Sequence, residues 1–164
     1  MKVVLQRISG ASVTINGSET RTVGPGLLLL VGVAVTDDAA IAEKMAQKCA
    51  ELRIFDDEQG NLNLSAAEQG LSAMVVSNFT LQADTRKGRR PSFINAAKPP
   101  LSIDLYEGFV AALKKQGLKE VKTGEFGADM QVSLVNDGPI TIVLDSDDWQ
   151  RPRHGSSAGG KETV

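Results

Sequence analysis

Histidine and cysteine are nearly absent from this chain, which holds one of each in 164 residues, His154 and Cys49. A lone cysteine cannot close an internal disulfide, and one cysteine with one histidine cannot supply a thiolate–imidazole metal cluster, so neither a metal nor another cofactor is expected. Cys49 falls within a helical pattern and reads as core. His154 sits in a tail whose Ser156-Ser157-Ala158-Gly159-Gly160-Lys161 has no apolar face and reads as disordered. To act as a base it would have to fold back, so histidine activation of a core serine or threonine is missing. Long apolar runs are also lacking. Polar residues interrupt Met1-Lys2-Val3-Val4-Leu5-Gln6-Arg7 before a signal region or span could form, and the densest run, 27–35, is too short to cross a bilayer. A soluble, cytoplasmic protein without a membrane partner is expected. The net charge of −2 carries no global signature of nucleic-acid binding, although it averages over local patches.

What is present suffices for one substantial core, with 41% hydrophobic residues in a length too short for two comfortable domains. One domain over 1–146 and a disordered tail over 147–164 are expected. Alternation through Ile15 reaches Asn16-Gly17, a tight-turn signal leading into Thr20-Arg21-Thr22-Val23. The run 27–35 reads as a central strand buried on both faces. Thr36 or Asp37 can cap a helix whose Ile41, Met45, Cys49 and Leu52 share one face. Asn61-Leu62-Asn63-Leu64 reads as a short strand and 71–81 as a longer one. A second helix is predicted from near Ser102, burying Leu105, Phe109 and Leu113 and stopping at Gly117. Strands over 119–122, 130–135 and 140–144 complete the sheet, the last two as arms of a hairpin around Asn136-Asp137-Gly138-Pro139. Pro139 complicates that hairpin, because it removes a ladder donor where the returning arm should begin to pair.

Without histidine or metal, ester cleavage would have to rely on hydroxyls, on backbone amides forming an oxyanion hole, and on groups of the substrate itself. Ser77, Phe79 and Thr80 supply such tools together in Ser77-Asn78-Phe79-Thr80-Leu81. Periodicity alone reads this segment as a strand end with Phe79 and Leu81 alternately buried. The window Arg86-Lys87-Gly88-Arg89-Arg90 holds four cations, fit either to contact phosphates or to rim a solvated loop.

At these residues the chain resembles the D-aminoacyl-tRNA deacylases of bacterial and eukaryotic type, the D-tyrosyl-tRNA(Tyr) deacylase family. The likeness runs through Gln6-Arg7, Ala11-Ser12-Val13-Thr14, Arg53-Ile54-Phe55, Asn63-Leu64 and Val75-Val76-Ser77-Asn78-Phe79-Thr80-Leu81. It continues in Arg90-Pro91-Ser92-Phe93 and Ala128-Asp129-Met130-Gln131-Val132 and ends in Asn136-Asp137-Gly138-Pro139-Ile140-Thr141. The tail after Asp145 falls outside it.

The resemblance implies a compact α/β domain of the α+β type, with a mixed, mainly antiparallel, barrel-like sheet and two helices, assembled as a homodimer. It implies hydrolysis of D-aminoacyl-tRNA, with glycyl-tRNA(Ala) also accepted, and rejection of L esters by a Gly138-cis-Pro139 pair acting in the partner's site and oriented by Arg7. The ester would meet Ser77, Phe79 and Thr80, with Asn78, Met130, Asn136, Gly138, Pro139, Thr141 and Arg7 binding substrate. Arg86, Lys87, Arg89 and Arg90 would contact tRNA phosphates. Thr80 as nucleophile competes with assistance by the terminal ribose 2′-hydroxyl, and the lack of a core histidine favours the latter. Asn78 departs from the family's glutamine. Two other readings follow: glycine mischarged on alanine tRNA as the main substrate, and a tRNA-binding dimer impaired in catalysis.

Overall fold

Alternating side chains through the first fifteen residues build β1 (Lys2–Ile15), and Asn16 and Gly17, at φ of 48° and 67°, turn it into β2 (Glu19–Val23). This is a computed structural model, and it describes residues 1–150. The chain continues through β3 (Gly26–Gly32), α1 (Ala39–Glu51), β4 (Arg53–Asp56), β5 (Leu62–Ser65) and β6 (Ser72–Ser77). A 3-10 turn (Phe79–Gln82) follows, then α2 (Leu101–Lys114), β7 (Glu120–Thr123), β8 (Met130–Asp145) and a final 3-10 turn (Ser146–Gln150). Among the described residues no helix is long and apolar enough to cross a membrane.

The main sheet runs β2-β1-β3-β6-β7, with β8 on the other side of β1; β4 and β5 form a separate pair. The β3–β6 and β6–β7 pairs are parallel and the others antiparallel. Lys122 Nζ donates to the Thr22 carbonyl at 2.7 Å and Arg21 Nη1 to that of Thr123 at 2.8 Å, drawing β7 toward β2 and nearly closing a barrel. The expected α+β architecture is therefore present.

The central apolar strands serve two cores. Leu27, Leu29, Val31, Ala73 and Val75 face Met45, Cys49, Phe109 and Leu113 of the helices. Leu28, Met74 and Val76 face the other way, with Val13, Ile15 and Val23. β1 contributes to both cores because its pairing with β8 slips between Ile8 and Gly10, where two residues of β1 stand against one of β8, while it runs in unbroken register with β3 from Lys2 to Ile8. Before that slip Val3 and Leu5 face the helices; after it Ala11, Val13 and Ile15 line the second core. Since side chains alternate with a period of two, an irregularity in register is what lets one strand change faces.

Several local expectations are corrected. Asp38, not Thr36 or Asp37, caps α1, its carboxylate accepting from the Ile41 amide at 2.8 Å. Asp37 is occupied elsewhere, ion-paired with the Met1 ammonium and accepting from the Ala34 amide at 2.6 Å. The strand expected over 71–81 stops at Ser77, and α2 is capped at Lys115, with Gly117 turning the chain beyond it at φ 85°.

The hairpin is absent. Residues 130–135 and 141–145 both pair antiparallel with β1, from Ile15↔Met130 to Lys2↔Asp145. Between the partners Ile8↔Asn136 and Gln6↔Thr141, residues 137–140 leave the ladder as an excursion. Pro139, with no N–H to donate, sits where no ladder bond is made. The Gly138-Pro139 bond is cis, as the resemblance implied, and so is Pro99-Pro100.

Beyond residue 146 the fold continues, with partly buried Trp149 packed on the first core and Lys44 Nζ 4.4 Å from its ring centre. Residues 151–164, with His154 and most of the expected tail, lie outside the described residues.

Candidate functional site

Parallel pairing of β3 and β6 delivers Ser77 beside Val31 and lets the Asn78 amide donate to the Val31 carbonyl at 2.8 Å. Asn78 then leaves the strand at φ −145°, ψ 89° and caps the turn Phe79–Gln82. Its side-chain oxygen accepts from the Thr80 amide at 3.2 Å and from the Thr80 hydroxyl. The first amide of such a turn, that of Phe79, has no acceptor within it. Gln82 anchors the far end, donating to the Gly32 carbonyl at 2.7 Å in a buried position.

The alternate burial expected of Phe79 and Leu81 does not occur, because the turn rotates Phe79 outward. It is 57% exposed and meets Phe93 edge-on, ring centres 5.0 Å apart. This outward turn requires a bare Cα beneath it. A Cβ on Gly32 would lie 2.8 Å from the Asn78 carbonyl oxygen and 2.9 Å from Leu81 Cβ. Gly32→Ala is accordingly expected to cost about 2 kcal/mol, read from denaturant unfolding, because backbone atoms have to move. An unchanged midpoint would show that the turn yields freely.

Ser77, Asn78 and Phe79 line a cavity of about 240 Å³, walled further by Tyr106, Phe126 and Met130. Ser77, Asn78, Ala128 and Met130 are shared with a second, more open hollow that extends past Leu30 and Val132 to Gln6. Thr80 lines neither hollow, and its hydroxyl donates to a carboxamide oxygen. The Tyr106 hydroxyl donates to the Val75 carbonyl at 3.0 Å, and burial pushes the phenol up from its ordinary value, so it holds its proton at neutral pH.

The second group of expected residues is assembled at the excursion. Arg7, 7% exposed, donates from Nε to the Asp137 carbonyl at 2.9 Å. Its Nη1 donates to the Ile54 carbonyl at 2.9 Å and the Asp56 carboxylate at 3.2 Å. Asn136 accepts from the Ile140 amide at 2.8 Å and donates to the Ile140 carbonyl and to Thr141 Oγ1, each at 3.1 Å. Gly138, at φ 145°, could not carry a side chain, since a Cβ would stand 2.7 Å from the Ile140 nitrogen. Neither Gly138 nor Pro139 lines the two hollows, so a single chain does not unite the two groups there.

The basic loop is clipped at its base by reciprocal amide–carbonyl bonds of Asp84 and Ser92, at 2.8 and 2.9 Å. Asp84 also grips Arg86 through both carboxylate oxygens, at 2.9 and 2.6 Å, and that guanidinium holds its carboxyl down at about 2. Arg86 is thus engaged, whereas Lys87, Arg89 and Arg90 are exposed and have no ion-pair partner among the described residues.

Sequence reasoning passed over Tyr106, Phe126 and Ser102 as lining residues. The first two give only a core signal, and Ser102 reads simply as a helix start.

Residues 4–145 match the family model for D-Tyr-tRNA(Tyr) deacylase. A D-aminoacyl-tRNA deacylase of Chloroflexus aurantiacus is 51% identical, over 96% of this chain and 98% of the relative. Another, of Thermomicrobium roseum, is 56% identical over 89% of this chain and 94% of its own. Among solved structures, a c-Myc DNA unwinding element binding protein superposes with a TM-score of 0.81 at 38% identity, over 89% of this chain and 99% of that one. A probable eukaryotic D-amino acid tRNA deacylase shares the fold, with a TM-score of 0.78 at 13% identity, over 87% of this chain and 97% of that one.

Proposed function

The chain belongs to the D-Tyr-tRNA(Tyr) deacylase family and is a hydrolase acting on D-aminoacyl-tRNA; from that premise we propose that the ester is cleaved at the Ser77–Thr80 turn and that the Gly138-Pro139 excursion excludes L esters. The observation that carries this reading is the outward turn itself, which sets Phe79 in the wall of a cavity while Asn78 fixes the Thr80 amide. A backbone N–H held in that way is suited to the negative charge that develops on an ester carbonyl. The terminal ribose 2′-hydroxyl assists the attacking water, Ser77, Asn78 and Met130 border the bound group, and Thr80 contributes through the turn.

The filter acts between two copies of the chain, the Gly138-Pro139 segment of the partner subunit closing over the site. Supporting this, among the described residues β8 pairs only with β1 and its other edge is unpaired, with Val135 and Val143 63% and 67% exposed. Rigid carbonyls there would collide with an L side chain, whereas a D side chain points elsewhere. Glycine, lacking a side chain, passes the same filter, which extends the reading to glycyl-tRNA(Ala). Lys87, Arg89 and Arg90 meet tRNA phosphates, with Arg86 organising the loop through Asp84. The reaction belongs to the cytoplasm, where charged tRNA is used.

Incubation with matched D- and L-tyrosyl-tRNA in the presence of chelator tests the proposal. The D ester is expected to disappear and the L ester to persist. Survival of both with tRNA still bound would transfer the assignment to a binding protein.

A further inference from the structure

Arg7 donates to two sides, to the Asp137 carbonyl on the excursion and to β4 opposite it. β4 is shaped to receive it. Its ladder with β5 slips on either side of Phe55, and Ile54, between the pairs Arg53↔Ser65 and Phe55↔Leu64, has no partner in that ladder. A bulge of this kind leaves the extra residue free for other work. Here the Ile54 carbonyl accepts from Arg7 Nη1 at 2.9 Å, and the same nitrogen donates to the Asp56 carboxylate at 3.2 Å. The Phe55 ring centre lies 6.0 Å from the guanidinium carbon. On the reading that the Gly138-Pro139 excursion excludes L esters, we propose that Asp56 is a positioning residue of that filter, holding the Arg7 guanidinium, and through it the excursion, against β4.

The seat is firm beneath an accessible charge. Ile54 and Phe55 are buried in the first core, and Arg53 clasps β5 through the carbonyl and carboxamide oxygens of Asn63. The Asp56 side chain, by contrast, is 51% exposed, and an ion pair so open to water adds little to stability. What it adds is direction. Asp137 offers the same guanidinium a second carboxylate, 3.5 Å from Nε, so Arg7 stands between one negative charge on β4 and one on the excursion. Bonds to a carboxylate are stronger than bonds to a neutral carbonyl. Without Asp56, β4 would keep only the Ile54 carbonyl, and Arg7 would follow the excursion instead of fixing it.

The test uses the full chain, matched D- and L-tyrosyl-tRNA, and the variants Asp56→Ala, Asp56→Asn and Glu58→Ala. In Asp56→Ala the D-over-L ratio of kcat/KM is expected to fall about tenfold, the size of one hydrogen bond to a charged group, through faster loss of the L ester. Asp56→Asn keeps an acceptor without the charge and should lose less, about threefold. Glu58→Ala removes an equal charge two residues away that takes no bond from Arg7, and should keep the wild-type ratio. An unchanged ratio in Asp56→Ala, or an equal fall in Glu58→Ala, would overturn the assignment. A lower melting temperature with D and L rates reduced in parallel would likewise make Asp56 structural. If the wild-type protein cleaves D and L esters alike, the filter reading itself fails; if it discriminates and Asp56→Ala does so equally well, only Asp56 is wrongly placed.

Discussion

D-Tyrosyl-tRNA esterified at the 3′-oxygen of a terminal 2′-deoxyadenosine is expected to be hydrolysed about a thousandfold more slowly than the ribose substrate, as befits loss of a positioned proton-transfer group. The protein has little with which to replace it. Thr80 gives its proton to the Asn78 carboxamide oxygen, which is no base. Tyr106 is kept protonated by burial, and the Cys49 thiol, pushed up to about 12 by burial, lies in the core between helix and sheet. The described residues contain no histidine. A hydroxyl of the substrate, on the carbon next to the esterified one, is then left to steer the attacking water. The companion expectation concerns Thr80→Ala, which should retain its rate within about threefold, because a threonine without an adjacent base is a weak nucleophile. Single-turnover rates on both substrates decide the matter. Fast cleavage of the deoxy ester, together with collapse of Thr80→Ala, would return the chemistry to Thr80.

The second large effect is expected at Arg7. One guanidinium ties the Asp137 carbonyl on the excursion to the Ile54 carbonyl and Asp56 carboxylate on β4, and it is nearly inaccessible to solvent. Arg7→Ala would strand those acceptors and is expected to cost roughly 2–4 kcal/mol of stability. Arg7→Lys is the cleaner experiment, since the charge stays while the planar fork that spans both elements is lost. With the excursion free to shift by about 1 Å, the ratio of kcat/KM for D- over L-tyrosyl-tRNA should fall about a hundredfold. A folded Arg7→Lys protein with an unchanged ratio would exclude Arg7 from chiral selection.

How much of this could be read from residues alone depended on the range of the interaction. The strands β3 and β6 were legible because burial on both faces leaves an unbroken apolar run, and the α1 stripe because Met45 and Cys49 repeat at helical spacing. The hairpin reading failed for a non-local reason. Two apolar segments around Asp137-Gly138 look the same whether they pair with each other or both pair with a third strand, and only Pro139 hinted at the latter. At Asn78 the sequence displayed a departure from the family's glutamine, but not that the shorter amide would hold both polar groups of Thr80. Arg86 was grouped with its neighbours by charge, and its ion pair with Asp84, two residues away, did not enter that reading. Asp56 could not be singled out at all, because its contact with Arg7 is a property of three-dimensional surroundings.

The slip in β1 between Ile8 and Gly10 also determines where the chain tolerates changes in length. Upstream of Gln6, odd-numbered side chains face the helices, and downstream of Gly10 they face the opposite core. Deleting one residue between these points would exchange inside for outside along one half of the strand, and would carry Arg7 and its grip on the excursion with it. The exposed turn at Glu58-Gln59-Gly60 carries no such parity and can lengthen freely, so insertions and deletions among relatives should collect there and avoid the first ten residues.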